Sequence, residues 1–304
     1  MRPAPTLTMD SLRRNRTDYG GFLFHAALLI ALSLCLLLLG TLLAQVFAGG
    51  IGLLRERPGD FLTSPLSSLP ERAGVIQGIV GSLLLTAIVV VIAIPVGVAA
   101  AVYLEEYARD TRLNRILYVN VRNLAGVPSV VYGLLGLAIL VRSLGAITGG
   151  SSLISGGLTL AMLVLPIVII TTAEALRSVP RSIREAAYGV GATQWQVIRS
   201  HVLPAAAPGV MTGTVLSLAR ALGETAPLIL VGAVTGFFAT GGQSLVEQLQ
   251  GRFTSLPTII FAWSRQPSTD FRELTSAAII VLLVVILLAN GAAVLLRNRY
   301  ERKW

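Results

Sequence analysis

Six runs of about 20 or more largely apolar residues constrain this 304-residue chain more than any other feature. They fall at roughly 22–48, 75–102, 119–141, 152–173, 209–236 and 275–296. The hydrocarbon core of a bilayer, ~30 Å thick, takes about 20 residues of helix to cross. Backbone polar groups inside it must be paired internally, which a helix does within one segment. The chain therefore reads as an all-α integral membrane protein with six transmembrane helices. Composition agrees, because only 13% of residues are charged, about half the share of ordinary soluble domains. The first run follows Arg13, Arg14 and Arg16 but exceeds the ~7–15-residue core of a signal peptide, so a retained anchor is expected.

Arginines set the expected orientation. Sixteen of the 24 basic residues fall on one side of the runs: Arg2, Arg13, Arg14 and Arg16; Arg109, Arg112, Arg115 and Arg122; Arg177, Arg181, Arg184 and Arg199; and Arg297, Arg299, Arg302 and Lys303. Seven fall on the other side, and Arg220 lies inside a run. Arginine-rich loops stay in the cytoplasm, so both termini are expected to be cytoplasmic, in keeping with an even number of spans. The chain then divides into a cytoplasmic tail (1–21), a first transmembrane helix (22–48), a periplasmic loop (49–74), a five-helix core (75–296) and a cytoplasmic tail (297–304). The core carries a cytoplasmic loop, 174–208, and a periplasmic loop, 237–274. The latter holds FTSLPTIIFAW (253–263), which reads as an interfacial segment or as one folded back into the external mouth.

Several function classes drop out. A net charge of +9 would suit nucleic acid only with a basic face and aromatic platforms, and here the basic clusters alternate with apolar runs. No nucleic-acid partner is expected. The single cysteine, Cys35, permits neither an intrachain disulfide nor a Cys-rich metal site. His25 and His201 stand in no metal-ligand spacing, so no metal site is expected. Lys303 is the only lysine, so a phosphate-binding loop of the G-x-x-x-x-G-K-[ST] kind cannot form. If nucleotide energy drives this protein, a partner subunit holds the nucleotide.

The loop 174–208 is the most informative stretch between the runs. Val179-Pro180 ends the helix before it, and Ser182 with Glu185 three residues later has capping-box spacing. Ile183, Ala186, Ala187 and Val190 share one helical face, Gly189 and Gly191 allow a turn, and ATQWQVIRSHVL (192–203) reads as a second short helix ended by Pro204. Small Ala186 and Ala187 permit close approach by another surface, and Trp195 offers a large anchor. An amphipathic helix resting on lipid headgroups would show the same apolar face.

EAAYGVGATQWQVIRSHVLP (185–204) resembles the EAA loop of type I ABC-importer permeases, which pairs Glu-Ala-Ala with a glycine and a later Leu-Pro. Glu185, Ala186, Ala187, Gly191, Leu203 and Pro204 match at the expected spacing, while His201 stands where the family has an aliphatic residue. GVPSVVYGLLGL (126–137), RALGETAPLILVGA (220–233) and FTSLPTIIFAW are similar to the phosphate-specific importers, and to their PstA-type rather than their PstC-type permeases. The resemblance covers most of 75–296. It implies the type I permease fold and a non-catalytic subunit whose loop docks on separate ATPases. The implied partners are a PstC-like second permease, two ATP-binding subunits that carry ATP and magnesium, a phosphate-binding protein and the lipid bilayer. No cofactor is expected on this chain itself.

Arg220 and Glu224 lie four apart within an apolar run, a spacing that puts both on one helix face. A charge at the bilayer centre costs ~2.5–3.5 kcal/mol on insertion scales, so this face should meet the bundle interior or a wet pathway. Arginine's planar fork suits oxyanions, and Glu224 can hold that fork and partly neutralise it. The pair either lines the path of an anion or joins helices as a structural ion pair; the resemblance favours the path. Thr225 and Ser217 add hydroxyls nearby, although such groups in membrane helices often bond their own backbone. The rival substrates are sulfate, molybdate and phosphonate. A membrane-embedded enzyme would need a nucleophile with a base, and Glu224 is the only evident acid within the runs. A secondary transporter would need no ATPase.

Overall fold

The computed structural model describes residues 19–234 and 245–300. The expected tails 1–21 and 297–304, and the start of the loop 237–274, fall wholly or partly outside them. The chain forms two units, Met1–Ala48 and Gly49–Trp304. The described part of the first is a helix, α1 (Tyr19–Glu56), which continues into the second. Over 19–48 it buries no side chain, and Leu36–Leu39 all stand exposed, as expected of a helix that is apolar all round and immersed in lipid.

The second unit continues with α2 (Pro58–Thr63), α3 (Ile76–Val102) and a π-helical turn (Tyr103–Tyr107). Next come α4 (Arg112–Ala125), α5 (Ser129–Leu135) with a π-helical extension (Gly136–Ser143), α6 (Gly145–Thr148) and α7 (Leu153–Ser178). Then follow α8 (Arg181–Gly189), α9 (Gln194–Val197), another π-helical turn (Ile198–Val202), α10 (Leu203–Gly223) and α11 (Ala226–Val231). Last are α12 (Leu245–Gln250), α13 (Leu256–Ser264) and α14 (Thr269–Tyr300).

Helix α7 is the centre of this unit. Of its apolar stretch 67% is buried, against 28% for α3 and 17% for α14. Small residues let the neighbours approach it, as is usual between membrane helices. Gly97 faces Val168 and Gly157 faces Ile88, so α3 and α7 run parallel, about 70 residues apart in register. Gly209 faces Ala175 and Gly213 faces Thr171, so α10 runs antiparallel to α7.

Parallel α3 and α7 require a return crossing between them. A single span at 119–141 was expected there, but the structure has two helices, α4 and the α5 segment, bent by 104° at Gly126–Pro128. Pro128 has no N–H, and its ring would strike the carbonyl of Leu124 in a continuing helix. That carbonyl instead accepts the Val127 N–H (3.1 Å) and the Tyr132 hydroxyl (2.9 Å). The α7–α8 corner is built the same way: the Leu176 carbonyl, four before Pro180, accepts the Val179 N–H (3.3 Å) and an Arg184 N–H (2.9 Å). Among the described residues, five helices are long and apolar enough to cross a membrane, or six if the bent pair counts as one span.

The expected span 209–236 also changes. Residues 194–223 form one helical run, which stops where Pro227 would meet the Gly223 carbonyl; α11 then starts anew. Residues 235 and 236 lie outside the described set. The short helix expected to end at Pro204 therefore does not end there. In the wide turn before it, the Leu203 N–H reaches the Ile198 carbonyl five residues back, and Pro204, with no N–H to place, sits in the first turn of α10. The capping box expected at Ser182 and Glu185 is absent, because α8 already starts at Arg181 after Pro180. The box forms instead at Thr193 and Gln196.

At the α2 end of the unit, the segment 49–74 is structured rather than loose. Phe61, Leu66 and Val75 are buried with α13 and α14, and the Trp263 ring lies 6.4 Å from Phe61 and 6.0 Å from Phe271. FTSLPTIIFAW folds back into this core, with Leu256 and Ile259 fully buried. A Ser255–Thr258 capping box starts α13, and the Leu256 N–H donates to Ser82 Oγ on α3 (2.9 Å).

Candidate functional site

The predicted loop forms a small, rigid corner. Helix α8 turns inward Ile183 and Ala187, which join a core with Val197, Ile198 and Val202. Glu185 faces outward, and so does Ala186, which had been expected on the same face as Ile183 and Ala187. Val190, expected on the inner face, stands 86% exposed, because the helix has already ended at Gly189. The ending is a Schellman turn: the Gly191 N–H donates to the Tyr188 carbonyl (2.9 Å) and the Ala192 N–H to the Ala187 carbonyl (3.1 Å). Gly191 carries a φ of +85° there, a conformation that side chains disfavour. Tyr188, Val190 and Trp195 are all exposed, so the corner that carries Glu185 and Ala186 presents apolar side chains at its surface. Leu203 is half-buried and Pro204 exposed where α10 begins, away from those side chains in sequence.

Two ion pairs that the sequence reading missed fasten this corner to the end of α3. The Arg177 guanidinium grips Glu105 through two bonds of 2.7 Å. The Arg184 guanidinium donates to both Glu106 oxygens (2.7 and 3.4 Å) and to the carbonyls of Leu176 and Val179. Glu106 is only 9% exposed at its side chain, and its backbone carbonyl accepts from Gln194 (2.6 Å). Arg177 also stacks on the Tyr118 ring of α4 at 4.7 Å, with Arg122 at 5.2 Å from the same ring. The partners lie 72 and 78 residues apart, so no local pattern reveals them. The available signal was two adjacent acids at the end of an apolar run on the arginine-rich side.

The structure brings Arg220 and Glu224 together, but not on one helix face. Helix α10 ends at Gly223, and Glu224 is extended (φ −77°, ψ 130°); its carboxylate folds back to accept the Arg220 Nε–H at 3.3 Å. Continuing the α7–α10 register by two turns puts Arg220 level with Val164, near the middle of α7. Its side chain is 40% exposed, at a depth where lipid would leave the charge unsatisfied. Thr225 follows, and its carbonyl accepts the Ile229 N–H at the start of α11 (3.1 Å). Ser217 is buried and donates to the Gly213 carbonyl of its own helix (2.9 Å), so it is not free for a ligand. The new helix packs tightly on α5: a Cβ on Gly133 would stand 2.7 Å from Pro227 Cα. Among the described residues, no group of three His, Cys, Asp or Glu side chains gathers to hold a metal.

Comparisons with known proteins agree on the class. The family model for the "binding-protein-dependent transport system inner membrane component" matches residues 93–302. The probable ABC transporter permease YqgH of Bacillus subtilis is 39% identical over 57% of this chain and 58% of its own length, so the match spans under two thirds of that relative. The phosphate transport system permease PstA of Pasteurella multocida is 34% identical over 68% of this chain and 70% of its own. A PstC permease of Mesorhizobium japonicum matches at the same 34%, over 69% and 71%. A solved bacterial alginate ABC transporter shares the fold, with a TM-score of 0.64 at 17% identity over 93% of this chain and 96% of that one. The chain belongs to the binding-protein-dependent transport system inner membrane component family and is a multi-pass inner-membrane permease of the ABC-transporter class.

Proposed function

We propose that this chain is one of two permease subunits of an ATP-driven importer of inorganic phosphate. The carrying observation is the α8 corner, whose exposed apolar side chains are mounted on a clamped base. Exposed Tyr188, Val190 and Trp195 on the corner that carries Glu185 and Ala186 suit a protein groove, because aromatic anchors make compact docking surfaces. Two ATP-binding subunits, carrying ATP and magnesium, dock there, and this chain performs no bond chemistry. In that reading the corner and both termini are cytoplasmic, and a phosphate-binding protein delivers its cargo to the opposite end, where α2 and α13 form a solid cap.

Phosphate as the cargo rests on the names of the PstA and PstC relatives and on the chemistry of Arg220. A half-exposed arginine at mid-helix level needs a cover, and a PstC-like second permease supplies it across a shared path. Glu224 holds the guanidinium between ions and keeps its affinity for an oxyanion moderate. Arg220→Gln in the assembled importer tests the path: labelled phosphate uptake falls while all subunits still co-purify. Normal uptake in that variant would reduce the pair to a structural contact.

A further inference from the structure

We infer that Glu105 and Glu106 form a two-point clasp that makes the end of α3 move with the α8 corner. The corner then drives two helices at once, α3 through the clasp and α10 through the continuous chain. The inference rests on the proposed docking role of the corner and adds a second route for its motion.

The geometry is specific. Adjacent residues at the end of a helix point in diverging directions, about 100° apart on a regular helix. Glu105 takes Arg177, in the last turn of α7, and Glu106 takes Arg184, in α8 beyond the Val179-Pro180 break. One helix end therefore holds both sides of the corner. The π-helical turn 103–107 ends α3 with the Ala108 N–H reaching the Tyr103 carbonyl (2.8 Å), and such wide turns recur at functional sites. All three guanidinium nitrogens of Arg184 donate, to one carboxylate and to two carbonyls that close α7. Gln194 adds a third tie, from the start of α9 to the Glu106 carbonyl. Charge-assisted, two-toothed bonds of this kind fix direction as well as distance.

Beneath the clasp, Ala101 and Val102 of α3 are buried with Val179, Ala187 and Val197. Tilting α8 would have to break both ion pairs and open this core, or carry α3 along. A packed interface with charged ties has discrete arrangements rather than graded ones, so α3 follows. Helix α3 is also the one that α13 docks on at the far end, through Gly78, Gly81 and Ser82. A shift of α3 thus reaches the re-entrant cap without passing through the Arg220 break.

The test uses the complete importer in proteoliposomes, reading subunit retention, ATP hydrolysis and phosphate uptake. Glu106→Gln and Glu105→Gln should retain the ATP-binding subunits and ATP hydrolysis while uptake falls about tenfold, within the usual range for coupling between two sites. Normal uptake in both variants overturns the clasp. Loss of the ATP-binding subunits also overturns it, because these acids would then only hold the docking corner in shape. A rescue arm separates motion from folding. In a Cys35→Ser background, Glu106→Cys with Arg184→Cys joined by a short bis-maleimide should recover uptake, since the linker restores the tie without charge. Uptake that stays lost despite complete cross-linking means the contact must open during the cycle, and overturns the clasp. Glu185→Arg checks the underlying reading separately. If that variant keeps the ATP-binding subunits and normal coupled uptake, the docking role of the corner fails whatever the clasp does.

Discussion

Replacing Gly191 by alanine and by asparagine separates two reasons for a glycine in the loop. One is empty space for a docking partner; the other is the backbone conformation of the turn. The structure ranks them. A Cβ built on Gly191 meets no atom within 4 Å, whereas φ is +85°. Within the chain, the cost of a side chain is therefore conformational and not steric. For an alanine the left-handed conformation costs about 1–2 kcal/mol, a factor of roughly 5–30 in the preference for this turn. Asparagine adopts that conformation far more readily. If the ATP-binding subunit recognises only the formed turn, its apparent affinity falls with the turn's population. Titrating the subunit onto the detergent-solubilised permease pair should rank wild type first, Gly191→Asn a little weaker and Gly191→Ala weakest, by up to that factor. The reverse ranking, with the larger asparagine worse than alanine, would refute the backbone argument and show that the partner fills the space above Gly191. Equal affinity in all three would show that the turn is not what the partner reads.

Three further outcomes follow from single contacts. Gly81→Ala puts a Cβ against the Thr254 carbonyl, an overpacking worth about 1–3 kcal/mol, and should lower the thermal midpoint in detergent; an unchanged midpoint would mean that α3 and the re-entrant segment are not in close contact. Ser255→Ala removes the side chain that accepts the Thr258 N–H, a loss of about 0.5–2 kcal/mol, and should raise hydrogen exchange in α13 without changing it in α7. Tyr132→Phe removes the hydroxyl bonded to Leu124, worth about 1 kcal/mol; spin labels on α4 and α5 should report a broader distance distribution, and an unchanged one would assign the bend to Pro128 alone.

What could be read in advance was whatever hydrophobicity alone dictates. Long apolar runs have one solution in lipid, so α3, α7 and α14 lie where a 20-residue ruler puts them, with α14 extending past its apolar run at both ends. The α8–α9 corner was legible too, because Gly191 and the Glu185-Ala186-Ala187 run sit in a short local pattern. The prolines were visible, and Pro180 was read as a helix end, but the breaks at Pro128 and Pro227 were not. Pro128, Pro180 and Pro227 each stop a helix four residues upstream or soon after, whereas Pro95, Pro166 and Pro208 lie inside continuous helices. At two of these three stops a side chain takes up the freed carbonyl. Leu124 and Leu176 find Tyr132 and Arg184, and those acceptor–donor pairs become visible only once the corner is built.

The same reasoning explains why the charge pair and the clasp were read so differently. Arg220 and Glu224 stood out because both lie in one apolar run, and the expected contact formed even though Glu224 left the helix. Proximity in sequence was enough to find the pair but not its shape, and the shape matters. A carboxylate on an extended segment after Gly223 belongs to the break between α10 and α11, whereas on the same helix face the helix itself would fix it relative to Arg220. Glu105, Glu106, Arg177 and Arg184 did not stand out, since each lies among other charges on the arginine-rich side. Their pairing depends on α3 running parallel to α7 with a shift of about 70 residues, a tertiary fact set by glycine contacts deep in the bundle. Small residues in the membrane thus decide which charges meet outside it.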